Sequence, residues 1–348
     1  MSGMMRAYRL REAGRMPDIV EIPIPEPGPG QIRLKTAGAG LCHSDLLVIH
    51  ADPPFFQLPM TIGHEATGWI DKLGPGVEGY AVGDAHGVYF SWGCGHCGPC
   101  AHGEENICEK APAMPGLGSG RDGGMADYIL VENPRHLIPL GGLDPIDAAP
   151  LMCAGITTYH AVRQSLPLLK PGSAAVVIGI GGLGHLAIQI LKSLTPATII
   201  AVDTQEDKLQ QALALGAHHA LSAGSDAAAQ VRGLTRGLGA NVVIDLVGND
   251  ATLAFGATAL AHGGSLKIVG VGGGTLPVRF PEMPRDSSVA VPYAGTIADQ
   301  REVVRLADDR LIHAEVTHIG FDALADTYAL MDSGRLKGRA VLVPSRFP

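Results

Sequence analysis

The sequence predicts an α/β protein in which a β-rich lobe is joined to a doubly wound parallel sheet. Three observations carry this reading. The chain has 348 residues, more than one hydrophobic core usually supports, so two domains are expected. A glycine-rich turn sits between an apolar run and a helical pattern near residue 180, and strand and helix patterns alternate from there to about 293. The first 150 residues have another texture, rich in Pro and Gly with short strand-like runs.

The early strand candidates are QIRLKTAG, ATGWIDKLG and MADYILV. They are short and bounded by turn residues, as in β-rich lobes. The alternating part begins with AAVVIGIGGLGHLAIQIL, residues 174–191, which are free of charge over 18 positions. Length alone would allow a membrane span. Its four glycines, with His185 and Gln189, argue instead for a buried strand, a glycine turn and a helix. Then follow a second strand, Ile199 to Val202, helix DKLQQALALG, strand HHALS, helix DAAAQVRGLTRG, strand NVVIDLVG, helix TLAFGATALA and strand GSLKIVGVGG, with SVAVPY as a sixth strand. Such alternation builds a parallel sheet over 151–293. Beyond it a helix at 298–309, a strand near EVTHIG, a helix near DALADTYALM and a last strand RAVLVP are expected to return to the first lobe. The expected domains are therefore 1–150 with 294–348, and 151–293, with substrate held in the cleft between them.

Composition narrows the class. The chain is 46% hydrophobic and 17% charged, with net charge −8. That gives no basic footprint for nucleic acid or anionic lipid. The N-terminus, MSGMMRAYRLREAGRMPD, has no apolar core of signal-peptide length. A cytoplasmic protein with reduced cysteines is expected, and clustered thiols there more often bind metal than pair.

Within the sheet region, Gly179-Ile180-Gly181-Gly182-Leu183-Gly184 lies between strand and helix, and Asp203 ends the next strand 19 residues beyond the last glycine. This context marks a dinucleotide site. Gly179 makes the tight turn, Gly181 lets backbone approach a pyrophosphate, and Gly184 lets helix and strand pack closely. Asp203 suits a ribose and repels a 2′-phosphate, so NAD is preferred over NADP. The competing reading of Asp203 is an ordinary helix cap. No arginine follows in TQEDKLQQ, and Lys208 is the nearby cation.

Four of six cysteines fall in WGCGHCGPCAHGEENIC, spaced Cys94-x2-Cys97-x2-Cys100-x7-Cys108. Interleaved glycines let several sulfurs face one point, which suits a closed tetrahedral zinc site that contributes to folding. An iron–sulfur loop would place its next cysteine after three residues, followed by proline; here the gap is seven and Glu109 follows. Four unligated thiols are the remaining alternative. Cys42, in AGLCHSDLL, and Cys153, in APLMCAGITTYHAV, stand apart, with His64 and Glu65 in TIGHEATGWIDKLGPGV. Two thiolates and one imidazole would leave a zinc site open for substrate. Equally, the two cysteines can be small buried apolar residues.

The segments GHEATGWIDKLGPGV, the four-cysteine loop and VIGIGGLGHLAIQ together resemble the zinc-dependent alcohol dehydrogenases of the medium-chain dehydrogenase/reductase superfamily, over essentially the whole chain. The resemblance implies a GroES-like β-domain plus a Rossmann domain. It implies Cys42, His64 and Cys153 as catalytic zinc ligands and Cys94, Cys97, Cys100 and Cys108 as structural ones, hence two zinc ions per chain. It further implies Glu65 as an orienting or transiently ligating carboxylate, the alternative being a plain salt bridge. Ser44 would relay the alcohol proton, Thr157 would pack on the nicotinamide, and Arg339 would contact cofactor phosphate unless it is a solvated surface residue. His43 stands where some relatives carry an arginine near the pyrophosphate. Leu47 stands where many place a proton-passing histidine, which leaves the proton exit to other groups.

The activity implied is reversible oxidation of an alcohol to a ketone or aldehyde, with zinc as Lewis acid and NAD taking the hydride. Leu47, Phe55, Phe56, Trp92, Leu117, Tyr293 and the small Ala294 are pocket candidates; plain core packing is their alternative. They favour secondary, even aryl, alcohols over polyols. A non-catalytic zinc and nucleotide sensor would not need Cys42, Ser44, His64, Glu65 and Cys153 together. A zinc-free quinone reductase of the superfamily would lack both cysteine sets. The partner expected is a small alcohol or ketone, with no nucleic acid and no membrane. A homotetramer is favoured over a dimer by the resemblance.

Overall fold

The protein was analysed as a computed structural model describing residues 3–51, 54, 56–110 and 116–344. The pocket candidate Phe55 lies outside the described residues. The chain divides into two compact units: Met1–Ile156 with Thr296–Arg310 and Ala314–Pro348, and Thr157–Gly295 with Leu311–His313.

The first unit is β-rich. Among the described residues its larger sheet runs in the order Leu137–Pro139, Ala85–Val88, Glu65–Leu73, Ile32–Gly40, Arg339–Leu342 and Val316–Ile319, with Tyr128–Val131 also paired to Ile32–Gly40. A smaller sheet joins Asp18–Pro23, Met4–Leu10 and Met60–Thr61. The tail thus returns to the first lobe: Arg339–Leu342 pairs antiparallel with Ile32–Gly40 through Val341↔Gly40 and Leu342↔Ala39. Its buried residues join a core with Leu41, Ile49, Ile62 and Tyr328. The apolar/polar alternation expected of a half-buried strand is weak in Ile32–Gly40, whose last five residues are all buried. That part of the strand is covered on both faces, so burial overrides period two.

The second unit is a parallel sheet in the order His219–Ser222, Thr198–Asp203, Ala174–Ile178, Ala240–Asp245, Leu260–Ile268, Ser288–Ala290. The unit's first strand, Ala174–Ile178, lies inside the sheet, and the order reverses beside it, which places the ligand crevice at its carboxyl end. Ala174–Ile178 is buried throughout, and helix Gly184–Leu194 packs behind the turn. This is how the uncharged run is used; among the described residues no helix is long and apolar enough to cross a membrane.

Two boundaries differ from the sequence reading. Helix Asp250–Ala259 starts earlier than TLAFGATALA because Asn249 caps it, accepting the Thr252 N–H at 2.9 Å. It also ends earlier, because Leu260 is already paired with Ala240. The sixth strand is Ser288–Ala290 alone; Pro292 lacks the N–H that a longer ladder would need.

Leu342 is fully buried in the core of the first unit. Leu342→Ala is expected to lower stability by about 2–5 kcal/mol, measured as the shift in denaturant midpoint. A loss near zero would mean the last strand does not hold that core together.

Candidate metal centre and cofactor loop

Sheet register assembles the first cluster. Gly40 pairs with Glu65 on one neighbouring strand and with Val341 on the other. Cys42, two residues past Gly40, therefore meets His64 and Glu65, while Arg339 arrives from the opposite side. A Cβ on residue 40 would run into Glu65 Oε2, so only glycine leaves the carboxylate its place. Cys153 follows a short 3-10 helix, Ala149–Met152. That turn is tied down by Gln300, whose Nε2 donates to Leu151 O at 3.0 Å. The donor atoms of Cys42, His64, Glu65 and Cys153 all lie within 4.8 Å of one another, and all four residues are buried.

The charges around this cluster are arranged in two arms. In one, Asp45 Oδ1 lies 2.9 Å from His64 Nδ1, and Asp45 Oδ2 accepts from Cys42 N–H at 2.9 Å and from the Tyr328 hydroxyl at 2.8 Å. A proton on Nδ1 shared with Asp45 leaves the Nε2 lone pair for a metal. Burial works against charge on His64, but Asp45 and Cys42 outweigh it and raise its pKa well above the usual value. In the other arm, Arg339 Nη2 pairs with Glu65 Oε1, both side chains being buried. Burial pushes the Glu65 carboxyl up to about 8 even with Arg339 pulling the other way. Its Oε2 has no hydrogen-bond partner among the described residues. A hydrogen bond from Cys153 holds the Cys42 thiol low, with His64 adding to it, and Cys153 is pushed up in return.

The donor set fits zinc: two sulfurs and an imidazole, with a buried carboxylate oxygen left without a partner beside them. Ser44 is half-buried, its Oγ 3.7 Å from Cys42 Sγ. The Phe90 ring lies 5.3 Å from that of His64.

Cys94, Cys97, Cys100 and Cys108 form the second cluster. None of the six cysteines forms a disulfide among the described residues. Sγ separations are 4.0 Å for Cys94–Cys100 and 3.8 Å for Cys97–Cys108, close to the ~3.8 Å edge of a tetrahedron with ~2.3 Å Zn–S bonds. Backbone N–H groups of Cys97 and Cys94 point at the sulfurs of Cys94 and Cys108, both at 3.3 Å. A Cβ at Gly93 would stand 2.5 Å from Cys100 Sγ, and Gly95 has φ +81, so both glycines are needed for the fold of the loop. Glu105, buried inside the loop, takes the Gly93 N–H at 3.3 Å, Arg135 at 3.3 Å and His136 Nε2 at 3.2 Å.

The pocket candidates are scattered. Trp92 is packed on His136, centroids 5.0 Å apart and planes 3° apart, with Nε1 donating to Tyr89 O at 2.6 Å. It belongs to the wall of the cysteine loop. Leu117 is fully buried and its N–H donates to Phe90 O at 3.1 Å. Leu47 is 49% exposed, and His43, on the same helix His43–His50, is exposed too. Phe56 packs on the core of the first unit. Tyr293 and Ala294 belong to the second unit; Ala294 is buried with φ +49. For Arg339, burial excludes a solvated surface residue. Sequence reading missed Asp45, Tyr328, Gln300, Phe90, Glu105, Arg135 and His136. Asp45, in the helix that Cys42 opens, carried the nearest thing to a signal: an acid three residues after a candidate ligand.

In the second unit, Gly179 has φ +85 and turns the chain out of its strand. A Cβ on Gly181 would meet nothing within 4 Å, so the backbone there is open to a ligand, whereas a Cβ on Gly184 would collide with the Gly179 carbonyl. Gly182 and Leu183 are half-buried at the helix start. Asp203 bridges this loop and the next helix: Oδ2 accepts from Ile180 N–H at 2.7 Å and Oδ1 from Gln205 N–H at 3.0 Å. Lys208 is half-buried on helix Glu206–Leu215, and Thr157 half-buried on helix Ala154–Ser165.

Residues 28–142 match the family profile of the alcohol dehydrogenase GroES-like domain, and residues 182–309 that of the zinc-binding dehydrogenases. A NAD-dependent alcohol dehydrogenase of Sulfurisphaera tokodaii is 36% identical, over 98% of this chain and 100% of its own. A D-arabinose 1-dehydrogenase (NADP+) of Saccharolobus solfataricus is 34% identical, over 97% of both chains. Among solved structures, the alcohol dehydrogenase of Aeropyrum pernix superposes with a TM-score of 0.90 at 35% identity, covering 97% of this chain and 100% of its own.

Gly184→Val forces the turn and helix apart at the glycine loop. It is expected to weaken dinucleotide binding about tenfold or more, a loss of about 1.4 kcal/mol, read by titrating the fluorescence of bound reduced dinucleotide. Unchanged affinity would show that the tight turn is not needed for binding.

Proposed function

The chain belongs to the zinc-binding alcohol dehydrogenases of the medium-chain dehydrogenase/reductase superfamily, and from that membership we propose how its residues divide the work of an NAD-dependent oxidoreductase acting on alcohols. Cys42, His64 and Cys153 hold a catalytic zinc. Cys94, Cys97, Cys100 and Cys108 hold a structural one, giving two per chain. The observation that carries this assignment is the buried convergence of Cys42, His64, Glu65 and Cys153, all donors within 4.8 Å, with one carboxylate oxygen left unpartnered among the described residues.

When bound, zinc supplies Lewis acidity at the substrate oxygen, and NAD supplies a hydride acceptor. The protein's own groups do the rest. Asp45 fixes the ring of His64. Arg339 holds Glu65 by one oxygen and leaves the other without a partner among the described residues, available to orient the site or ligate transiently. Ser44 takes the alcohol proton during oxidation and returns it during reduction. Leu47, exposed on the same helix, offers no proton acceptor, so water carries the proton onward. Gly179, Gly181, Gly182, Leu183 and Gly184 receive the pyrophosphate, and His43 and Lys208 are assigned to the cofactor as further polar groups. Arg339 Nε has no partner among the described residues, which supports a further contact to cofactor phosphate. Asp203 takes the ribose and disfavours a 2′-phosphate, and Thr157 packs on the nicotinamide.

For the substrate, Phe90 beside His64 and the buried Leu117 next to it give apolar surroundings and favour secondary, including aryl, alcohols and their ketones. The D-arabinose 1-dehydrogenase relative favours a second reading, a sugar or polyol. We place the enzyme in the cytoplasm as a homotetramer, with the edge strand Ser288–Ala290 and the exposed Val291 at a subunit contact.

Metal analysis should find two zinc ions per chain. Cys153→Ala should retain one of them, keep its fold and lose turnover. Cys100→Ala should instead lower Tm by about 5 °C or more, because it opens a closed site that contributes to folding. The reverse pattern would exchange the two assignments. In a panel, 2-alkanols and phenylethanol should turn over faster than sorbitol or arabinose; the opposite ranking selects the polyol reading.

A further inference from the structure

The hydrogen bond from Tyr328 to Asp45 lies one layer outside the candidate metal ligands. Tyr328 sits on helix Leu324–Asp332 in the returning tail, and its side chain is 1% exposed. Its ring stacks on that of Tyr8, centroids 6.3 Å apart and planes 10° apart. The ring is therefore held by packing, and the hydroxyl is aimed at one place: 2.8 Å from Asp45 Oδ2, with Met125 Sδ at 3.3 Å. Asp45 is itself 1% exposed. Its carboxylate is filled from three directions, by Cys42 N–H and the tyrosine on Oδ2 and by His64 on Oδ1.

A buried carboxylate held at one oxygen by two donors cannot rotate freely about its Cβ–Cγ bond. Removing the tyrosine donor leaves Oδ2 with Cys42 N–H alone. It also leaves a buried acceptor short of one bond, which costs more than the same bond is worth at the surface. A carboxylate free to turn no longer fixes the histidine tautomer or ring angle. Packing alone would need only phenylalanine at position 328, since the ring does the stacking; the hydroxyl is what reaches the site.

We propose that Tyr328 is a positioning residue for the metal centre, acting through Asp45 to hold His64 in the orientation that binds zinc. The proposal rests on Cys42, His64 and Cys153 being metal ligands. It makes the returning helix part of the centre although it contributes no ligand.

The test uses Tyr328→Phe, which keeps the ring, together with Asp45→Asn and the double variant. Zinc release to a colorimetric chelator is followed on the metal-loaded enzyme, and the visible spectrum is recorded after cobalt replacement. Wild type should release two equivalents in separable phases. Tyr328→Phe should speed one phase about tenfold, the low end of the range for outer-layer partners of metal ligands. It should shift the cobalt bands and leave the other phase unchanged. In the Asp45→Asn background the same change should add little, because both act along one chain of contacts. Release rates and cobalt bands identical to wild type overturn the proposal, even if Tm falls, since a merely structural tyrosine would lower Tm alone. A full additional effect in the Asp45→Asn background also overturns it. A wild type holding only the tetrathiolate zinc overturns the ligand assignment itself, and the proposal with it.

Discussion

Gly40 is the residue through which the site of the first unit is built. It pairs with Glu65 on one side and Val341 on the other, and it carries no side chain because Glu65 Oε2 occupies that space. From this one point of register the chain delivers Cys42, His64 with Glu65, and Arg339 to the same few ångströms. A slip of one residue in either pairing would turn the strand's side chains to the other face. The close approach of Glu65 to Gly40, where no other residue type leaves room for the carboxylate, opposes such a slip.

The same constraint explains why the tail matters. Residues 314–344 supply Arg339 to Glu65 and Tyr328 to Asp45, and Gln300, just before them, braces the turn that presents Cys153. None of these is a donor in the metal cluster. Arg339 pairs with a member of that cluster, Glu65, whereas Tyr328 and Gln300 bond groups beside it, Asp45 and the Leu151 carbonyl. Buried polar contacts of this kind specify orientation more than they add stability, because each desolvated group must be repaid by its partner. The cysteine loop follows similar logic on a smaller scale, with Glu105 gathering Gly93, Arg135 and His136.

Local features were the legible ones. The glycine turn with Asp203 and the four-cysteine loop could be read because all their parts lie within a few dozen residues, and spacing there constrains geometry. The gathering of Cys42, His64 and Cys153 could not be derived from spacing, since it depends on sheet register and a returning tail; only resemblance pointed to it. Arg339 was noticed, but its pairing with buried Glu65 has no sequence signature. Tyr328 falls in the helix expected near DALADTYALM, and nothing local distinguishes its hydroxyl. Trp92, proposed from its place beside the cysteine loop, stacks on His136, a contact that no local pattern in the sequence announces.

In the proposed assignment the six cysteines divide between a closed tetrathiolate and an open centre of two thiolates and one imidazole. Zinc-edge X-ray absorption of the fully loaded enzyme measures this directly, because sulfur and nitrogen or oxygen neighbours differ in distance, ~2.3 Å against ~2.0–2.2 Å. Averaged over both ions, about three sulfur ligands and about one lighter ligand per zinc are expected. An average of four sulfurs, with no nitrogen or oxygen in the first shell, would contradict it.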